Sequence, residues 1–280
     1  RVGSAQPDPA VRSPTMHDRR SGITSHFPFS PCTRPPLPDA AHGFAVANRQ
    51  RFCYNGQEKG AFAMLDVCDP RVIRALLEKY GFHFSKAKGQ NFLTQRWVPQ
   101  RIAQEAGIDR STGVLEIGPG IGPLTSELAQ RAGKVVSIEL DRALLPILAE
   151  TMAPYSNVEI VPGDVTRLDL KALIGEKFAG LRPIVCANLP YNITTPVLTA
   201  LVDIPAIESI TVLIQKEAAQ RLTSAKGSAD GAFPLRLQYE METECLFDVP
   251  PEKFLPAPKV TSTVLRCVRR KEPPLSLIHI

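Results

Sequence analysis

No uncharged apolar run in these 280 residues reaches the roughly 18 to 20 that a membrane-spanning helix needs. Nor does the start contain the apolar h-region, about 7 to 15 residues long, of a secretory signal. The six cysteines, at 32, 53, 68, 186, 245 and 267, form no CxxC pair and no Cys/His cluster with metal-ligand spacing. A zinc site, any other metal and a disulfide framework are therefore not expected, and free thiols suit a reducing, cytoplasmic setting. Charge of one sign is also scarce where it would matter. Of the 33 Lys/Arg and 28 Asp/Glu, residues 1–63 hold 8 and 4, which leaves a near-neutral 25 against 24 for the rest. Bulk charge thus says little about partners, and any nucleic-acid argument has to rest on local patches.

What is present separates into a leader and a domain. Residues 1–63 are rich in Pro, Ser and Arg, with breakers such as Pro35-Pro36 and Pro38, and lack any sustained period of 2 or 3.6. They read as disordered or as a non-native leader, with Met64 the expected start of the protein proper. Residues 64–94 read as an N-terminal helix plus a cofactor-closing segment, 95–270 as the catalytic domain, and 271–280 as the truncated start of a further region. Within the middle of the chain, strand-like and helix-like segments alternate. Asp69-Pro70 is an N-cap with proline at N1, and Gly81 a stop. Strands are expected at Thr112–Ile117, Lys134–Glu139, 158–161, 183–187 and 210–214, with helices at 124–132, 142–152, from 196 and from 216. From Phe233 to Val268 the helical period fades and closing antiparallel strands are expected. This alternation predicts an α/β, Rossmann-like fold: a mostly parallel, doubly wound sheet with its ligand at the carboxyl ends of the strands.

Three motifs sit at those ends. Glu116-Ile117-Gly118-Pro119-Gly120-Ile121-Gly122 falls where the first long strand turns into a helix, and its glycines let the backbone approach a nucleotide-like ligand. The pattern is E-x-G-x-G-x-G rather than the dinucleotide G-x-G-x-x-G, and matches S-adenosylmethionine (SAM) enzymes better. Glu139, about 20 residues on, can accept both ribose hydroxyls, a position that NAD and SAM sites share. Neighbouring Asp141 reads as a helix cap. After the third strand, Gly163-Asp164-Val165 puts a carboxylate where it can accept from an adenine amino group.

The sharpest motif is Asn188-Leu189-Pro190-Tyr191. Methylating an exocyclic amine is an in-line displacement at a sulfonium carbon, and the amine lone pair is delocalised into its ring. Turning it towards the methyl requires acceptors for the amine hydrogens. The Asn188 side-chain oxygen and the Leu189 carbonyl can supply them, Pro190 stiffens the loop, and the Tyr191 ring can stack on an extruded base.

Together these motifs resemble the KsgA/RsmA family of ribosomal RNA adenine dimethyltransferases, relatives of the Erm resistance methylases. The resemblance runs from about Val67 to Arg270. It includes Gly89-Gln90-Asn91-Phe92-Leu93, the glycine loop, Glu139, Gly163-Asp164, Asn188 to Ile193, Gln215-Lys216-Glu217, and the segment from Phe254 through Lys259 to Ser262. It implies a seven-stranded sheet and SAM contacts by Asn91, Leu93, Gly118, Gly120, Glu139, Asp164, Val165 and Asn188. Catalysis would fall to Asn188, Leu189, Pro190 and Tyr191, and substrate binding to Tyr191, Phe254 and Lys259. The implied reaction is SAM-dependent dimethylation of N6 of two adjacent adenosines near the 3′ end of small-subunit rRNA, within the 30S particle, by a monomer. In this reading Lys86-Ala87-Lys88 belongs to a segment closing over cofactor, and the basic run Arg266, Arg269, Arg270 and Lys271 is either a solvated face or a phosphate contact.

Two departures stand out. The family continues into a small helical domain, which appears truncated soon after Lys271. Gly231 to Arg236 is also less apolar than the strand expected there. The alternatives are an Erm-like enzyme acting on large-subunit rRNA, a non-catalytic RNA-binding assembly factor, and, more distantly, a NAD-linked oxidoreductase.

Overall fold

The computed structural model describes residues 65–85, 89–224 and 231–272. The expected leader, Met64, Lys86-Ala87-Lys88 and residues 273–280 lie outside the described residues. Helix α1 (Pro70–Lys79) opens as the sequence dictates: the Asp69 carboxylate accepts the Arg71 N–H at 2.8 Å, and Pro70 fills a first-turn position that needs no donor. The chain leaves it through Gly81, at φ +58°.

A two-residue strand β1 (Phe92–Leu93) leads to α2 (Trp97–Glu105). Then come β2 (Thr112–Ile117), α3 (Pro123–Arg131), β3 (Lys134–Glu139), α4 (Leu145–Thr151), β4 (Val158–Pro162), α5 (Leu170–Lys177), β5 (Arg182–Asn188) and α6 (Thr194–Val202). The chain finishes with β6 (Ser209–Gln215), α7 (Lys216–Thr223), α8 (Ala232–Glu240), β7 (Met241–Val249), β8 (Phe254–Leu255) and β9 (Ser262–Arg269). Seven strands form one sheet in the order β4-β3-β2-β5-β6-β9-β7. The first five are mutually parallel, and β9 runs antiparallel to both β6 and β7. The remaining two, β1 and β8, pair antiparallel in a separate ribbon.

Strand β2 lies near the middle and is buried at every residue, as a parallel strand covered on both faces must be. Alternate residues serve opposite faces. Leu115 and Ile117 join Val136, Ile138, Val185 and Ala187 in the core under α5 and α6, whereas Val114, Val135, Ile184 and Cys186 pack against α2 and α3. A third cluster unites α1 and α4 with Phe92 and Ile121. Among the described residues no helix is long and apolar enough to cross a membrane.

The expected antiparallel finish is found in β7 and β9, but its first turns are helical. Residues 232–240, where a strand was expected, form α8. The proline at 234 misleads because it sits third from the Gly231 cap, where a backbone N–H has no intrahelical partner to lose. Pro99 holds the same position in α2, a helix equally hard to read from sequence.

Candidate active site

The parallel strands all deliver their carboxyl ends to one edge, and a single cleft opens there. Its wall contains Asn91, Leu93, Gly118, Gly120, Glu139, Asp164, Val165, Asn188, Leu189, Pro190 and Tyr191. Eleven residues expected at the site from sequence are thus brought together. Phe254 and Lys259 are not among them: Phe254 is 4% exposed, packed in the core with Leu93 and Val98, and Lys259 is solvent-exposed.

The glycine loop forms the cleft's floor. Gly118 donates to the Ile138 carbonyl at 2.9 Å, which ties the loop to β3. Gly120 (φ +65°) could not carry a side chain without conflict, since a Cβ there would lie 3.0 Å from the Phe92 ring. Glu139 ends β3 with both oxygens held by backbone: Oε2 accepts from Gly120 N–H at 3.2 Å and Oε1 from Asp141 N–H at 2.7 Å. These bonds fix the carboxylate at the end of β3, on the wall of the cleft. Asp141 caps the turn before α4 through Ala143 N–H and also accepts from the Gln90 side chain at 2.7 Å.

Asp164 serves its own turn as well as the cleft. Its Oδ1 accepts from the Thr166 N–H and hydroxyl at 3.0 and 2.7 Å, and these bonds hold its carboxyl below the usual range. The turn reading and the ligand reading of this aspartate are compatible, because its second oxygen meets only Arg167, at 3.4 Å.

Across the cleft, Asn188 closes β5. Its amide nitrogen donates to the Asn91 carbonyl at 3.2 Å, and Leu189 N–H donates to Leu213 O at 3.1 Å. Tyr191 shares a 2.7 Å hydrogen bond with Ser262, and burial pushes its phenol pKa up. A neutral ring anchored at its hydroxyl is suited to stacking, not to proton transfer.

Beneath these groups lies a carboxylate whose sequence signal was the first letter of the glycine motif. Glu116 is 1% exposed and lines the cleft. Its Oε2 accepts from the Ser137 and Thr125 hydroxyls at 2.6 and 2.7 Å. Burial outweighs those two bonds and drives its pKa up to about 7.

Two other sequence motifs make contacts within the protein. Lys216 pairs with Asp248 at 2.6 Å. The basic run near the end of β9 is spent internally: Arg269 donates to the carbonyls of Ile207, Val202 and Ile204, Arg266 to Glu244 and the Glu105 carbonyl, and Arg270 to Glu242 and the Gln238 carbonyl. These guanidiniums hold the sheet edge to its loops, a role beside the solvated face and the phosphate contact that the sequence left open. No group of three or more metal-ligating side chains occurs among the described residues.

With this geometry in place, similarity to known proteins is informative. A family model for ribosomal RNA adenine dimethylase matches residues 81–278. The ribosomal RNA small subunit methyltransferase A of Geobacillus sp. (strain WCH70) is 44% identical over 215 residues, 76% of this chain and 74% of that protein. The Ligilactobacillus salivarius (strain UCC118) protein of the same name is 45% identical, over 75% and 72% of the two chains. Among solved structures, the 23S rRNA methyltransferase ErmE superposes with a TM-score of 0.57 at 32% identity, covering 66% of this chain and 72% of that one. A dimethyladenosine transferase from Plasmodium falciparum gives 0.57 at 26% identity over 64% of each chain.

Proposed function

This chain belongs to the ribosomal RNA adenine dimethylase family, and from that premise we propose that it dimethylates N6 of two adjacent adenosines near the 3′ end of small-subunit rRNA. It is a SAM-dependent rRNA adenine dimethyltransferase. The expected target is the rRNA within the 30S particle, met in the cytoplasm by a monomer acting through the domain at 95–270. The observation that carries the reading is the placement of Asn188 and Glu139 at the ends of β5 and β3, on either side of the glycine loop in one cleft.

When bound, SAM supplies a methyl already activated by the positive charge on its sulfur. The protein's task is therefore positioning. Glu139 and the loop glycines hold the ribose side, Asp164 and Val165 the adenine side, and Asn91 and Leu93 cover the cofactor from the arm before α2. The Asn188 oxygen and Leu189 carbonyl accept the two hydrogens of the target amine, which turns its lone pair towards the methyl. Tyr191 stacks on the extruded adenine. No general base is needed for the displacement itself, and the proton leaves to solvent after transfer.

The small-subunit target is supported by the 44% identity to the proteins named for that subunit. ErmE supports the Erm-like alternative at 32%. Labelling with radioactive SAM decides between them: transfer to undermethylated small subunits, read as dimethyladenosine by nucleoside mass spectrometry, is expected. Label only in large-subunit RNA would favour the Erm-type reading, and SAM binding without any product would leave an assembly factor.

A further inference from the structure

We infer that Glu116 senses the charge on the cofactor's sulfur: its carboxyl gives up a proton when the cationic methyl donor binds and regains it when the neutral thioether product is left behind. The inference deepens the proposed function and rests on the SAM site described there.

In the sheet β2 lies between β3 and β5. Glu139 ends β3, on the ribose side, and Asn188 ends β5, on the side of the methyl acceptor. SAM's sulfur is bonded both to the ribose carbon and to the methyl that leaves, so a cofactor held with its ribose at Glu139 and its methyl towards Asn188 would set that sulfur on the side of β2, which carries Glu116.

Side-chain parity does the rest. Glu116 shares the α3 face of the sheet with its cross-strand neighbour Ser137 and, on β5, with Cys186. Both hydroxyl donors bond the same oxygen, Oε2, at 2.6 and 2.7 Å, and the side chain lines the cleft. A buried carboxylate that among the described residues has two neutral donors and no cationic partner is costly as an anion. The titratable groups around it reinforce this. Glu139 on β3 repels a second negative charge, and Cys186 on β5 is itself a buried thiol raised well above its ordinary range by burial and by Glu116; α3 contributes only the neutral Thr125. With its pKa near 7 the group sits on the edge of ionisation. One positive charge arriving in a water-poor cleft is enough to tip it. Loss of that charge on methyl transfer tips it back.

The consequence is preference for donor over product. An ionised Glu116 attracts the sulfonium but has nothing to attract in the thioether, so the preference for donor over product grows as pH rises through neutrality. If donor binding makes the carboxyl a tenfold stronger acid, about 0.4 proton is released at pH 7, and the donor binds about fivefold tighter at pH 8 than at pH 6.

Isothermal titration of the full chain with SAM and with S-adenosylhomocysteine, in buffers of different ionisation heat between pH 6 and 8, counts these protons directly. The expected result is net proton release for SAM exceeding that for the thioether, with the SAM preference growing with pH. In Glu116→Gln both the Glu116 proton and its share of that pH dependence vanish, while titration of the ligand's own α-amino group remains. Thr125→Val, which removes one donor to the anion, should move the midpoint to higher pH. Identical proton counts in wild type and Glu116→Gln, or an unmoved midpoint in Thr125→Val, would overturn the inference while leaving the SAM site standing. Failure of the wild-type chain to bind either ligand would overturn the SAM site and this inference with it.

Discussion

The Asn188 amide nitrogen donates to the Asn91 main-chain carbonyl at 3.2 Å. That bond fixes which way the amide faces: with nitrogen turned to the arm, the oxygen is left for the cleft, where an amine hydrogen would need an acceptor. The arm proposed to cover the cofactor would therefore also orient the acceptor group.

Replacing Asn188 with Asp keeps the shape, removes this donor and sets a negative charge against a carbonyl. Single-turnover methyl transfer should fall by about 10²-fold or more, with SAM affinity changing only a few-fold. Asn188→Ala should show the same split. Unchanged transfer in both variants would remove Asn188 from its proposed role.

Gly120→Ala tests the cradle. The left-handed backbone costs an L-residue about 1–2 kcal/mol, and the new methyl also presses on the Phe92 ring at 3.0 Å. Denaturant titration should show at least that loss, together with weaker SAM binding. Gly175 offers a contrast, being inside α5 with nothing within 4 Å of an added Cβ; Gly175→Ala should stabilise by about 0.5–1 kcal/mol.

Arg269→Lys should destabilise the fold by about 2–3 kcal/mol, since an ammonium cannot reproduce a fork bonded to three carbonyls. Thermal or urea melts measure this. In Arg269→Gln, which removes the charge, the salt dependence of RNA binding should keep its slope, because this guanidinium is committed to the protein; a shallower slope would mean that it contacts phosphate.

Glu116 also sets a pH dependence of stability without any ligand. Its pKa is about 7 in the fold, above the 4.5 of a free glutamate, so the native state holds the extra proton. The associated stability is fully present below about pH 4.5 and is lost as pH rises through about 7, a change of about 3 kcal/mol. Wild type should therefore lose stability between pH 5 and 8 relative to Glu116→Gln, as read from urea midpoints across that range. Parallel curves for the two proteins would show that the buried carboxyl is not perturbed.

Much of this architecture is written locally. The Asp69-Pro70 cap, the glycine loop and the apolar strands each follow from a few adjacent residues, and the parallel strand boundaries agree with the sequence reading to within a residue. What was hidden depends on tertiary context. First-turn prolines disguise α2 and α8. Phe254 lies in a segment whose resemblance implies substrate binding, yet it is buried in one core cluster with Leu93 and Val98. The arginines of β9 look like a nucleic-acid surface in one dimension, and only the fold reveals the carbonyls that occupy them. Glu116 was quoted as part of a motif, but its near-neutral acidity arises from burial and from Ser137 and Glu139 on another strand, which no local pattern encodes.

The small ribbon of β1 and β8 has a consequence in time. Phe92 pairs with Leu255 and Leu93 with Phe254, and Thr94 donates to Lys253, so the arm that roofs the cleft is fastened by a segment made some 160 residues later. While the chain is being synthesised, the glycine loop and β3 can form early, but the roof has nothing to grip until residues 253–255 have left the ribosomal tunnel. A nascent chain can therefore carry every residue of the cleft floor before its roof is fastened, so completion of the site waits on the synthesis of residues 253–255.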